Sequence, residues 1–216
     1  MTVATYQQVH EINQVNPDTI ERLARVVCLV YNLPEQSVNM MHPAIFLWKV
    51  RRIEANAKKR SIFFKPRLQT DAAKLTLGQF IECQHWLKND AIQSLDLVAA
   101  SILKRRGDHA KDAERMRKAK VGDILPKVEA FITSMNALIK SYAGLFDIND
   151  DEGEQRAEEV HPFVERYGWI FSAKEVAAYE CITLDKAFNL PVMQAFNGLS
   201  YLKAKQAYDK AQSKRS

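Results

Sequence analysis

One apolar stripe constrains the fold of this chain more than any other feature of its sequence. Between residues 124 and 145, large apolar side chains recur at intervals of three and four, the spacing of one face of an α-helix. They are Ile124, Val128, Phe131, Ile132, Met135, Leu138, Ile139, Tyr142 and Leu145. Such a helix has to bury this surface against other elements. We therefore predict a central helix from about Asp123 to Leu145, with Phe131, Met135 and Leu138 almost fully buried.

Further helices are predicted by local capping signals. Asn and Asp before an apolar run, Pro at a first helical position, and a Thr or Ser followed three residues later by Gln or Glu are typical of helix starts. The predicted boundaries are a helix from Asn16-Pro17 to about Asn32, a start at Pro43, a capping box at Thr76 and Gln79, a start at Asn89-Asp90, a stop at Gly168, a capping box at Ser172 and Glu175, and a last start at Pro191.

The composition agrees with a helical fold. Only seven glycines and seven prolines occur in 216 residues, and the abundance of Ala, Leu, Lys, Gln and Glu favours helix over sheet. The segment 61–68 carries clustered aromatics and a proline, which indicates an extended edge strand or arm. We predict a mainly α protein: a multi-helix, bundle-like main domain over residues 1–146 with a small extended or β arm near 61–68, and a C-terminal helical subdomain over residues 147–216.

The sequence carries no signal for membrane insertion or secretion. No apolar run approaches the roughly 18 residues that a spanning helix needs, and residues 1–14 lack the apolar centre of a signal peptide. Cys28, Cys83 and Cys181 are widely separated and do not form a disulfide framework. We expect a soluble protein that has no membrane partner and stays in the cytoplasm where it is made.

Patterns that carry enzyme chemistry are missing from the sequence. No two of the five histidines lie three or four residues apart, so none forms a helical metal pair. No glycine-rich phosphate loop and no nucleophile elbow occur. Cys83 and His85 lie two apart and point to different faces of a helix, so we interpret them as a packed Cys and a half-exposed His. We predict no enzyme activity, no catalytic residue, no metal, no cofactor and no small-molecule substrate.

An acidic loop over residues 147–154 resembles a calcium-binding loop only in part. Three oxygen-bearing residues occupy positions 1, 3 and 5 of an EF-hand spacing, and a glutamate occupies position 12. They are Asp147, Asn149, Asp151 and Glu158. Position 6, which requires glycine for the sharp turn, is Glu152. We predict an exposed loop without a bound metal.

A basic segment spans residues 104–120 and contains eight basic and three acidic side chains, so it holds a net charge equal to that of the whole chain, +5. The basic residues are Lys104, Arg105, Arg106, Lys111, Arg115, Arg117, Lys118 and Lys120. Asp112 and Arg115 can pair locally. One interpretation is a solvated connecting helix. The other is contact with the nucleic-acid backbone without sequence readout, because no aromatic residue lies between Leu103 and Phe131.

Two stretches together resemble a known group of proteins. They are 64–103, "FKPRLQTDAAKLTLGQFIECQHWLKNDAIQSLDLVAASIL", and 168–203, "GWIFSAKEVAAYECITLDKAFNLPVMQAFNGLSYLK". An extended segment before an "LT-G-Q" helix start, followed later by a "GW" helix pair that ends in "YLK", resembles helical proteins of Bacteroidetes-infecting, crAss-like tailed bacteriophages. After Leu103 the chain departs from this pattern, with Lys-Arg-Arg-Gly instead of a short proline-containing loop.

The resemblance implies a virion structural protein. It implies a ring-forming subunit of the portal–neck–tail assembly, a homo-oligomer that also contacts other tail and portal proteins, made in the host cytoplasm and located in the virion. Two alternatives stay open: a tail assembly chaperone that is not retained in the virion, and a DNA-binding accessory protein. The group carries no catalytic residues, so the resemblance assigns none here.

Overall fold

A computed structural model describes residues 1–15, 19–59, 61, 66–88, 91–104, 107–146 and 162–213. Within these ranges the chain forms twelve α-helices, a 3-10 turn at Ala72–Lys74, and no strand. The helices are α1 (Val3–Val15), α2 (Thr19–Tyr31), α3 (Glu35–Asn39), α4 (Pro43–Ala57), α5 (Leu77–Leu87), α6 (Leu95–Ser101), α7 (His109–Lys118), α8 (Val121–Ser141), α9 (Ala143–Phe146), α10 (Pro162–Tyr179), α11 (Leu184–Phe188) and α12 (Val192–Ser213). The mainly α class predicted from the sequence is confirmed.

The long apolar stripe forms α8 and continues into α9, and the predicted burial of Phe131, Met135 and Leu138 is confirmed. The buried positions of α8 alternate in steps of three and four, as one helical face does. The buried apolar side chains are Val121, Ile124, Val128, Phe131, Met135 and Leu138. The predicted helix to Leu145 is divided, because α8 ends at Ser141 and the short α9 begins at Ala143.

The described chain divides into two compact units. The first comprises Met1–Gln69 and Cys83–Ala130, and the second comprises Thr70–Glu82 and Phe131–Ser216. The divisions fall within α5 and within α8. The domain boundary predicted after residue 146 borders residues 147–161, which lie outside the described residues, and it stays a prediction.

The first unit joins its helices through two isolated pairs of extended residues. Thr2 bridges Lys120, and the Val3 amide donates to the Ala119 carbonyl at 2.9 Å. Leu68 bridges Leu103 in the same way. Each is a single bridge and not a strand. The predicted arm near 61–68 is therefore described only at this end, since residues 62–65 lie outside the described residues.

The second unit is built around aromatic side chains. Phe196 of α12 is fully buried, and its ring centroid lies 5.0 Å from Phe80, 5.3 Å from Tyr142 and 5.3 Å from Phe146. Phe80 also meets Trp169 edge to face at 5.8 Å. Such edge-to-face pairs add to the free energy of burial itself. The Phe196 ring of α12 thus packs against side chains from α5 and from the chain around α9.

One predicted capping box is confirmed and the other is wrong. The Gln79 amide donates to Thr76 Oγ1 at 3.2 Å, and Gln79 Oε1 accepts from the Thr76 amide at 3.1 Å. This reciprocal pair opens α5. By contrast, α10 runs without interruption through Gly168 and Ser172. Ser172 Oγ donates back to the Gly168 carbonyl at 3.0 Å, a bond typical of a serine inside a helix.

Gly122 permits a close approach between two segments of the first unit. A Cβ at this position would lie 2.8 Å from the carbonyl oxygen of Lys59 and 2.9 Å from that of Lys58. Both atoms belong to the backbone, so neither can rotate away. The glycine lets the residues after α4 lie directly against the start of α8, which brings Lys58 and Lys59 beside the basic segment.

Candidate functional site

The basic segment follows α6, contains α7, and ends just before α8. Lys104, Lys111, Arg115, Arg117 and Lys118 are exposed, and Lys120 is half-buried. Arg105 and Arg106 lie outside the described residues. The segment is helical over His109–Lys118. The directions of the basic side chains in this range therefore follow from their spacing along the helix.

The helix α7 begins and ends for local reasons. Asp108 caps its start, because Oδ1 of Asp108 accepts from the Lys111 amide at 3.1 Å. Arg115, Arg117 and Lys118 lie in the last turn, where positive charge complements the helix dipole. The helix stops at Ala119, which is extended because its carbonyl accepts from the Val3 amide.

Carboxylates hold three of the basic side chains. Arg117 pairs with Asp96, which is 1% exposed and also accepts from Gln7 Nε2 at 2.9 Å. Asp112 is buried as well; it accepts from the Gly107 amide at 2.9 Å and pairs with Arg115 at 3.3 Å. The local Asp112–Arg115 pair expected from the sequence is confirmed. Two acidic residues thus lie inside the unit, and each is paired with one arginine of α7.

The third pair lies on the surface. Lys118 Nζ is 2.6 Å from Glu114 Oε1, and both side chains are more than half exposed. The hydrogen bond from Lys118, followed by its charge, lowers the pKa of the Glu114 carboxyl. An exposed pair of this kind contributes little to stability, so both partners remain available to other charged groups.

The sequence does not reveal that part of the basic segment lines a cleft. Arg115, Lys118 and Lys120 line it together with Ala119 and Ser61, and its volume is about 420 Å³. The Ser61 amide donates to the buried carboxylate of Asp123 at 2.6 Å, which fixes this side of the cleft.

Two more lysines lie beside this cleft. The backbones of Lys58 and Lys59 lie against Gly122, two residues after Lys120. Burial, followed by the charges of Lys120 and Lys59, lowers the pKa of the Met1 amino group. In the sequence, Lys58 and Lys59 directly follow the segment that forms α4, but nothing there connects them to residue 120.

Two residues with possible nucleophilic chemistry, Ser101 and Cys83, are fully buried. Ser101 Oγ lies 3.0 Å from His109 Nε2, and the His109 ring stacks on Trp86 at 6.2 Å. Ser101 is fully buried, so no substrate reaches its hydroxyl. Cys83 is also fully buried whereas His85 is exposed, as expected from the sequence. Among the described residues, no three His, Cys, Asp or Glu side chains are grouped to hold a metal ion. The acidic loop 147–154 and Glu158 lie outside the described residues.

The first unit exposes a large apolar face on α4. Ile45 and Trp48 lie one turn apart, and each is about half exposed. Arg52 lies over the Trp48 ring at 4.8 Å, which keeps the indole against the helix surface. The neighbouring face of the same helix, with Phe46, Val50 and Ile53, packs into the core.

The second unit exposes an apolar face on α10 and an aromatic pair beside α12. Ile170 and Phe171 of α10 are 43% and 57% exposed. Tyr179 and Tyr201 lie 5.6 Å apart and are both about half exposed. Each unit therefore presents large apolar side chains to the outside. Single exposed apolar residues are ordinary, but paired aromatic ones are typical of contact surfaces.

No helix in the described part of the chain is long and apolar enough to cross a membrane. Comparison of the chain with protein families, with curated proteins and with solved structures gave no match.

Proposed function

We propose that this chain is a structural or assembly subunit that acts by packing against other protein subunits. The observation that carries the proposal is the pair of exposed apolar faces: Ile45 and Trp48 of α4 on the first unit, and Ile170 and Phe171 of α10 on the second. Trp, Tyr and Phe are enriched where proteins meet, and a few of them supply most of the binding free energy. The proposal assigns no catalytic residue, cofactor or substrate.

Within this class, our specific proposal is a ring-forming subunit of the portal–neck–tail assembly of a tailed bacteriophage. It rests on the resemblance of residues 64–103 and 168–203 to helical phage proteins. A ring needs two different, complementary patches on each subunit. We propose that the α4 face and the α10 face are these two patches. The extended arm near 61–68 and the C-terminal helical subdomain are further proposed contact elements.

The oligomeric state tests the packing proposal directly. We expect the purified chain to form an oligomer by light scattering, and Trp48→Ser or Phe171→Ser to reduce it to a monomer. Ile20→Ser is the matched control, because Ile20 is 75% exposed but lies on α2. A wild-type chain that stays monomeric at high concentration contradicts the proposal.

Mixing the two variants tests whether the interface is head to tail, as a ring requires. Trp48→Ser retains the α10 face, and Phe171→Ser retains the α4 face. If the two faces bind each other head to tail, an equimolar mixture forms a heterodimer and stops there. If each face binds its own copy, the mixture behaves as the separate variants do.

A tail assembly chaperone is the second candidate, favoured by the same exposed faces. Mass spectrometry of purified particles of a phage that encodes the chain distinguishes the virion subunit from the chaperone. A stoichiometric presence in the particle supports a virion subunit, whereas absence from the particle with presence in infected cells supports the chaperone.

A further inference from the structure

We propose that the first unit binds the phosphate backbone of duplex nucleic acid through three cations on one face of α7. These are Lys111, Arg115 and Lys118, and we call them the cationic stripe. They lie at i, i+4 and i+7, which places them on one face of a helix, and all three are exposed. The stripe leads into the cleft that Arg115, Lys118 and Lys120 line.

The structure separates this stripe from the rest of the basic segment. Arg117 is held by the buried carboxylate of Asp96 and belongs to the packing of the unit. The acidic residues that interrupt the segment in sequence do not all interrupt it in space. Asp112 is buried, and Asp108 accepts from the Lys111 amide as the cap of α7. Glu114 of α7 and the capping residue Asp108 are the acidic side chains here that remain exposed.

The dimensions of the stripe fit a phosphate backbone. Seven helical residues rise about 10 Å, and one strand of a duplex carries a phosphate about every 3.4 Å along its axis. A stripe of this length can therefore contact up to three phosphates of one strand, one for each cation. Lys120 follows the end of α7, and the backbone of Lys59 lies against Gly122, so further lysines adjoin the stripe.

Two cations of the stripe are already paired with carboxylates of α7. Arg115 pairs with the buried Asp112, and its side chain is 63% exposed, so a phosphate can approach it from the solvent side. The Glu114–Lys118 pair is exposed, so a phosphate can replace the carboxylate at little cost.

Contacts of Lys and Arg side chains with phosphates carry no sequence information. Binding through the stripe should therefore be independent of sequence and strongly weakened by salt.

The test measures binding of a fluorescently labelled DNA duplex by anisotropy between about 50 and about 200 mM salt. Three phosphate contacts predict a slope of about −2.7 in log affinity against log salt, which is about a 40-fold loss over this range. Lys111→Gln/Lys118→Gln should make the slope shallower by about 1.8, so that the loss is only about 3-fold. The exposed Lys140→Gln on α8 is the control with the same change of charge per site, and it should leave the slope unchanged.

Three further arms decide the nature of the ligand. Two duplexes of unrelated sequence should bind equally, and inorganic phosphate at matched ionic strength should not displace them. Displacement by inorganic phosphate would mean a site for an isolated anion, and it overturns the proposal. Tighter binding of a labelled oligoglutamate peptide than of the duplex, lost in the same double variant, would assign the stripe to an acidic protein partner and also overturns it. The anisotropy is measured at protein concentrations where the oligomeric state of the chain is known. A failure of DNA binding is then distinguishable from a failure of the subunit-packing proposal.

Discussion

Arg117 approaches one oxygen of Asp96 with two of its nitrogens: Nε lies 2.9 Å and Nη2 2.8 Å from Oδ2. The carboxylate is almost fully buried, whereas the arginine side chain is about half exposed. The pair therefore joins the surface of α7 to the interior of α6. It also explains why one cation of the basic segment serves the fold and not a ligand.

We predict that Arg117→Gln destabilises the protein more than any other single neutralisation in α7. Asp96 would keep only its bond from Gln7, and a buried charge without its partner is costly. Because water reaches the arginine side of the pair, we expect a loss of about 1–3 kcal/mol in the free energy of unfolding. Chemical denaturation measures it.

The control for this prediction is Lys118→Gln in the same helix. Its pair with Glu114 is exposed on both sides, so the denaturation midpoint should stay where it is. Equal destabilisation by the two substitutions would show that burial of Asp96 does not distinguish the pairs.

A second prediction concerns the close approach at Gly122. Alanine there would gain helix propensity, worth about 1 kcal/mol, but its Cβ would meet two backbone carbonyls at 2.8 and 2.9 Å. We expect the clash to exceed the gain and to give a net loss of about 1–3 kcal/mol. Gly144→Ala is the matched control, since nothing lies within 4 Å of its Cβ, and it should be neutral or slightly stabilising. Thermal unfolding of both variants decides between these outcomes.

The two capping boxes give a third prediction. Thr76→Ala removes the acceptor for the Gln79 amide and should cost about 1 kcal/mol. Ser172→Ala, at the position where the sequence shows the same pattern, should have almost no effect because Ser172 lies inside α10. If both substitutions cost the same amount in urea denaturation, the capping role of Thr76 is refuted.

The capping boxes also show how far the sequence predicts this fold. Thr76 follows the extended Leu75, whose carbonyl accepts from the Val192 amide, so a helix has to begin there. Ser172 follows Gly168, which permits a helix stop but does not require one. Burial of Ala173, Val176 and Ala177 on one face keeps α10 continuous through both residues. Local signals predict a helix end reliably only where the tertiary structure also interrupts the chain.

The candidate cationic site was predictable only in part for a similar reason. Helical spacing within 109–118 is a local property, so the grouping of Lys111, Arg115 and Lys118 follows from the sequence once α7 is known. The burial of Asp96 and the approach of Lys59 to Gly122 depend on contacts between distant segments. The spacing of residues along the chain does not indicate contacts between distant segments. For this reason the sequence alone placed Arg117 in the same group as the exposed cations.

The last prediction concerns Leu138, on the buried face of α8. Leu138 is 7% exposed, and Phe131 and Met135 on the same face are also buried. Leu138→Ala removes apolar surface from the core and leaves a cavity that the neighbours fill only in part, so it should cost about 2–5 kcal/mol. Asn136→Ala, an exposed position half a turn away, is the control and should change the free energy of unfolding by less than about 0.5 kcal/mol. Chemical denaturation of the full chain provides both values. A change at Leu138 as small as that at Asn136 would mean that this face is covered by a partner chain and not by the protein's own core.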